Sequence, residues 1–139
     1  MKYKVFEGGY PLERAHFDDA GIDIRTPEGF VLNPHENRTI DTKIAVQIPI
    51  GYFGKLESKS GLNVNHSIIT TGGVVDSGFR GTIKVKLFNF GNEPYEFKTG
   101  DKITQLVLIP VLLADLDKVD ELDDSESGRN ASGWGSTGR

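Results

Sequence analysis

Three observations predict an all-β domain. Helical periodicity is nearly absent along the chain. Short runs rich in Val, Ile, Phe and Thr recur between clusters of Gly, Pro, Asn and Asp, the punctuation of strands and turns. Gly accounts for 17 of the 139 residues, well above the average usage of roughly 7%. Glycines in that number mark turns, or places where backbone comes close to a ligand.

The elements follow in order. Residues 21–25 alternate around Ile22 and Ile24, and residues 30–32 form a short strand before the Asn33-Pro34 turn. Residues 38–48 read as one strand, with Ile44, Val46 and Ile48 keeping period 2 until Pro49-Ile50-Gly51 closes it. Residues 52–57 and 68–70 follow. Residues 82–88 place Ile83, Val85 and Leu87 on one face and Thr82, Lys84 and Lys86 on the other. Residues 94–97 read as an edge piece, and residues 104–113 as a buried strand interrupted by Pro110. Residues 60–64 fit one helical turn, and the acidic stretch 114–122 fits either helix or coil. Eight to ten such strands fit a sandwich, a jelly roll or a small barrel.

After Leu122 the composition shifts to Asp, Ser, Gly and Asn with a single large apolar residue, Trp134. Such a segment buries too little to order itself, so the chain divides into a domain over 1–122 and an arm over 123–139. The arm reads either as a frayed terminus or as a ligand clamp. In the second reading Trp134 stacks on a ring, Gly135 admits backbone N–H groups to anionic oxygens, Ser136 and Thr137 donate hydrogen bonds, and Arg129 adds a positive fork.

Composition narrows the function. The chain has no Cys, which excludes a disulfide framework and thiolate metal sites. A formal net charge of -4 argues against a nucleic-acid binder that works through a basic surface. The longest apolar run, residues 106–114, is far short of the roughly 20 residues of a membrane span. The N-terminus lacks a continuous apolar h-region, so the expected compartment is the cytoplasm. The hydrophobic share of 37% is lean for one core and suggests that partner subunits complete the burial.

Four clusters before the arm could carry chemistry. In Ala20-Gly21-Ile22-Asp23-Ile24, an Asp inside an apolar alternation needs a partner, so a buried, hydrogen-bonded Asp23 is expected beside the plainer reading of an exposed turn residue. Ser58-Lys59-Ser60-Gly61-Leu62 opens a helical turn and reads either as an anion site or as a helix cap by Ser58 or Ser60. The hairpin-like segment 70–81, with Thr70, Gly73, Val74, Val75, Asp76 and Phe79, offers backbone groups to the edge of a planar base. Asp76 there reads as a general base toward a water or as the centre of an Asx-type turn. Gln105 enters an otherwise apolar strand after the ordinary turn Gly100-Asp101-Lys102, and needs a ligand, a water or an internal partner.

Together, and in order, these five clusters resemble the motifs of the trimeric dUTPase family: 20–24, 58–62, 73–81 with Asn89 and Gly91, 100–106 and 129–138. The resemblance implies a β jelly roll assembled as a homotrimer, with active sites shared between subunits and the arm closing over them. It implies hydrolysis of dUTP to dUMP and pyrophosphate, which keeps uracil out of DNA and supplies dUMP for thymidylate synthesis. It implies Mg²⁺ bound through the triphosphate and waters, with no direct protein ligand. Asp76 matches the aspartate that activates a water for in-line attack on the α-phosphorus, and Gln105 the glutamine near phosphate and water. Lys59, Ser60 and Gly61 match the phosphate turn, and the hairpin from Thr70 to Lys84 the uracil reader. Arg129, Trp134, Gly135, Ser136 and Thr137 match the closing arm, and Asp23 a structural carboxylate behind the site.

The chain departs from the family pattern at Lys59 and Phe79, where Arg and Tyr are usual, at Gly78, where an acidic residue is common, and at Trp134, where Phe is usual. A dCTP deaminase-like enzyme is one alternative, but the position of its catalytic glutamate carries Lys86 here. A regulatory or binding protein on the same scaffold is another. The setting would be the cell's cytoplasm, or the host's for a viral or phage protein.

Overall fold

The computed structural model describes residues 1–128 and 130–131. Among these residues eleven strands and one short helix follow in order: β1 (Lys2–Val5), β2 (Gly21–Arg25), β3 (Phe30–Leu32), β4 (Asn37–Asp41), β5 (Ile44–Gln47), β6 (Tyr52–Glu57), α1 (Ser60–His66), β7 (Ile68–Thr71), β8 (Val74–Val75), β9 (Lys84–Asn89), β10 (Tyr95–Phe97) and β11 (Lys102–Pro110). All pairings are antiparallel. The sheets run β2-β11-β6-β8, β4-β9-β7, β1-β5 and β10-β3, the non-sequential strand order of a jelly roll. Among the described residues, no helix is long and apolar enough to cross a membrane.

One core joins the sheets. Ile22, Ile24, Leu56 and Leu106 come from the four-stranded sheet, Ile40, Ile68, Val85 and Leu87 from the three-stranded one, and Phe30, Leu32 and Phe97 from β3 and β10. Phe30 and Phe97 stack at 4.8 Å between centroids. The period-2 face expected over 82–88 is present: Ile83, Val85 and Leu87 are all buried, while Lys84 and Lys86 face outward. Asn89 ends that face buried, its amide nitrogen donating to the Leu32 and Glu93 carbonyls and its oxygen accepting the Gly91 N–H.

Several expectations are corrected. Residues 38–48 are two strands in different sheets, because the chain breaks at Lys43, which sits at φ 59°. The buried Thr42 hydroxyl there donates to the Ile83 carbonyl, and the Lys43 N–H donates to the Asp41 carboxylate. The last long strand starts at Lys102 and stops at Pro110, which pairs with Tyr52. Residues 111–119 form neither helix nor strand, and Leu112, Leu113, Leu116, Val119 and Leu122 are exposed. Strands β1 and β8 were not expected.

Candidate active site

Strands β7 and β9 pair as the arms of a wide hairpin, with Thr71 opposite Lys86. The chain between them turns at Gly72, where φ is +76° and a side chain would be strained. It then leaves the hairpin's own sheet. The Gly73 carbonyl accepts the Leu56 N–H at 2.9 Å, and Val74 and Val75 pair with Lys55 and Gly54 of β6. This crossing between sheets brings Gly73, Val74, Val75, Asp76, Phe79 and Lys84 to the wall of one cavity of about 360 Å³. That is within the size range of small-molecule sites. Val75 is buried beneath it, whereas Asp76 and Phe79 are exposed. The turn beyond β8 is closed by the Phe79 N–H donating to the Asp76 carbonyl. The hairpin expected over Thr70 to Lys84 thus has a strand of another sheet set into its tip.

A second cluster gathers where β2, β11 and β6 run side by side. Asp23, Gln105 and Glu57 lie in register across the three strands. Asp23 is 3% exposed. Its carboxylate takes Lys59 Nζ at 2.5 Å on one oxygen and Lys102 Nζ at 2.6 Å on the other. Burial pushes its pKa up, but the hydrogen bonds from Lys102 and Lys59 and their charges outweigh that and hold the carboxyl below its usual value. Lys102 is raised in return, chiefly by its hydrogen bond to Asp23. Lys102 also approaches Glu13 at 3.4 Å, and Glu13 pairs with Arg25, whose other nitrogen donates to the Gly100 carbonyl at 2.6 Å. Glu13 is held low first by Arg25 and then by Lys102.

Lys59, expected to meet phosphate, is therefore anchored through its ammonium to Asp23. Neither serine caps α1. The N-cap is Lys59 with no side-chain cap bond, and the Ser58 hydroxyl instead accepts the Thr70 N–H at 2.9 Å. Ser60 and Gly61 form the exposed first turn, and a Cβ on Gly61 would meet no atom within 4 Å. Gln105 donates from Nε2 to the Ser58 carbonyl at 3.1 Å. The Thr70 hydroxyl contacts that of buried Thr104, which donates to the Glu57 carbonyl. Thr70, expected with the hairpin cavity, is thus tied by both its N–H and its hydroxyl to this second cluster.

Residues outside the sequence expectations complete this network: Lys102, Glu13, Arg25 and Thr104; Ser58, expected at an anion site or as a cap, joins it through its hydroxyl and carbonyl. In the sequence Lys102 reads as part of an ordinary turn. Its signal was its place beside a strand that had to neutralise Asp23, but the pairing depends on a register shift between Lys102 and Thr104 that buries both Ile103 and Thr104.

The chain does not bring its two clusters together. Val75 lies opposite Gly54, whereas Gln105 lies opposite Glu57 on the other side of β6. At standard strand spacings that is about 10 Å along β6 and about 10 Å across it. Arg129, Trp134, Gly135, Ser136 and Thr137 lie outside the described residues.

The family model described as dUTPase matches residues 11–138. A deoxyuridine 5'-triphosphate nucleotidohydrolase of Anaeromyxobacter sp. (strain Fw109-5) is 41% identical over 98% of this chain and 95% of its own. The protein of that name from Mus musculus is 40% identical over 86% of this chain and 73% of its own. Among solved structures, the dUTPase of Staphylococcus bacteriophage 80alpha with dUPNHPP superposes with a TM-score of 0.87 at 29% identity, covering 99% of this chain and 98% of that one. A mutant dUTPase from phage phi11 of S. aureus, described with a structural Mg(II) ion, gives a TM-score of 0.78 at 30% identity over 86% of this chain and 96% of that one.

Proposed function

This chain belongs to the dUTPase family, and from that premise we propose how its residues convert dUTP to dUMP. The observation that carries the reading is the cavity at the hairpin tip. Gly73, Val74 and Val75 supply backbone to a planar base, Phe79 supplies a ring against the sugar, and Asp76 stands exposed at the rim. A ring at that place leaves no room for a 2′-hydroxyl, so the cavity selects a deoxynucleotide.

Asp76 accepts a proton from a water and directs its oxygen at the α-phosphorus. The new P–O bond forms as the bond to the bridging oxygen toward the β-phosphorus breaks, giving dUMP and pyrophosphate. Such a displacement asks the protein for position and charge more than for covalent chemistry. Gln105 directs its amide toward the water and the phosphate, and the first turn of α1 with Ser60 and Gly61 receives phosphate oxygens. Lys59, held by Asp23, keeps a fixed positive charge beside that turn. Arg129, Trp134, Gly135, Ser136 and Thr137 close over the nucleotide.

Mg²⁺ fits this arrangement as a passenger of the substrate. Among the described residues no three carboxylates or imidazoles converge to hold an ion, and Asp76 is a single carboxylate. When bound through the triphosphate, the ion neutralises charge on the phosphate oxygens.

The separation of the two clusters supports a site assembled from copies of this chain, with Asp76 and its cavity from one and Gln105, Lys59 and Ser60 from the next. A homotrimer of this kind also gives the exposed apolar residues between Val111 and Leu122 a surface to cover. Incubation with Mg²⁺ and each of dUTP, dCTP, dTTP and UTP tests the reading. Pyrophosphate from dUTP alone is the expected result. Ammonia from dCTP, or no turnover of any nucleotide, would overturn it.

A further inference from the structure

We propose that Arg80 is a positioning residue whose guanidinium clamps the turn Asp76–Phe79 and thereby fixes the water-directing carboxylate relative to the ring that walls the cavity. This rests on the reading of the site given above. Arg80 Nη1 donates to two carbonyls of that turn, Ser77 O at 2.6 Å and Phe79 O at 2.7 Å. Among the described residues, these are the only side-chain hydrogen bonds to the turn's backbone; the turn's own closure is the Phe79 N–H to the Asp76 carbonyl at 3.1 Å.

The turn needs such a clamp because Gly78 lies inside it. Gly78 is not in the left-handed region, and a Cβ there would meet no atom within 4 Å. Neither sterics nor backbone conformation requires glycine at this position, and its effect is to widen the conformations open to the turn. The Phe79 ring is seated independently. A Cβ on Gly81 would lie 2.7 Å from the ring's Cζ and 3.1 Å from its Cε2, so the ring rests directly on the Gly81 backbone. Arg80 holds the Phe79 carbonyl and Gly81 receives its ring. The two ends of the turn, Asp76 and Phe79, therefore keep a fixed separation although Gly78, one of the two residues between them, is free to move.

A double-mutant cycle on the full chain tests this. Arg80→Met lowers kcat/KM for dUTP by about 10-fold, as expected for loss of two charge-assisted bonds that hold a reacting group. It also narrows the preference for dUTP over UTP, because the Phe79 carbonyl loses its hold and the ring keeps only its seat on Gly81, and it leaves the melting temperature nearly unchanged because Arg80 is exposed. Gly78→Ala alone retains wild-type turnover, and in its background Arg80→Met loses markedly less, since alanine stiffens the turn without the arginine. Wild-type kinetics for Arg80→Met would overturn the proposal, as would an equal loss in both backgrounds. Wild-type protein that hydrolyses no dUTP would instead overturn the reading of the site on which the proposal rests.

Discussion

Gly21→Ala separates function from folding at the Gln105 position. A Cβ at residue 21 would stand 2.0 Å from Gln105 Oε1, 2.8 Å from its Cδ and 3.2 Å from its Cβ. Ordinary contact begins near 3.4 Å, so the amide has to retreat by about 1.4 Å. The Oε1 and Cδ atoms are the far end of a flexible side chain and can swing away, while the Gln105 Cβ, fixed to the backbone, has to give by only about 0.2 Å. The cost in stability is the bond from Gln105 Nε2 to the Ser58 carbonyl, about 1 kcal/mol. Gly21 is not in the left-handed region, so alanine restricts the unfolded chain and returns roughly 0.4–1 kcal/mol. The net change is close to zero, and the melting temperature should move by no more than a few degrees. Catalysis has no such offset. A misplacement of about 1 Å at a reacting centre costs on the order of 100-fold, and kcat for dUTP should fall by about that factor. Pyrophosphate release at saturating dUTP with Mg²⁺, measured beside a thermal melt, reads both quantities. A folded Gly21→Ala protein with kcat within about twofold of wild type would refute the placement of Gln105 at the reacting centre, since a shift of that size has to be felt there.

Two further substitutions probe the carboxylates. Asp76→Asn should keep dUTP affinity, measured by calorimetry, and lose turnover by about 10²- to 10⁴-fold, the usual worth of a positioned general base; near-full turnover would show that another group handles the proton. Asp23→Asn should destabilise the fold by about 2–3 kcal/mol in urea denaturation, toward the low end for a broken buried pair because both lysines remain about one-third exposed. Its folded pKa is lowered, so its stabilisation is present above the unfolded value near 4 and is lost as pH falls through the folded value. The wild-type urea midpoint should drop below about pH 4 more steeply than that of Asp23→Asn. Parallel curves would show that Asp23 is not the titrating group.

The sequence was most legible where one local pattern decided the outcome. Period 2 identified the inward face of β9, and of the two readings open for the aspartate between Ile22 and Ile24 the structure has the buried, partnered one. It was least legible where the outcome depended on strands far apart in the chain. Nothing local says that Lys59 and Lys102 both turn to Asp23, because their meeting follows from the register of β2 on β11 and the shift at Ile103. The break at Lys43 was hidden for a related reason: Ile40, Ile44 and Val46 keep a strand-like pattern on both sides of it, while the bond that breaks the strand comes from Thr42 to the distant Ile83 carbonyl. The two-residue strand β8 is too short to show a period at all. The motifs nevertheless pointed to the cavity-lining residues, because Gly, Asp and an aromatic close together describe a turn and a site at once. What they could not convey was the distance between that cavity and Gln105, which is a property of the sheet order.

That distance carries the central claim, a dUTP-hydrolysing site shared between copies of the chain. The most direct test mixes Asp76→Asn and Gln105→Ala proteins, each inactive alone, by co-refolding in equal amounts and measures pyrophosphate release from dUTP. If each site draws Asp76 from one subunit and Gln105 from its neighbour, random assembly restores about one quarter of wild-type activity. A mixture as inactive as its two components would contradict the account.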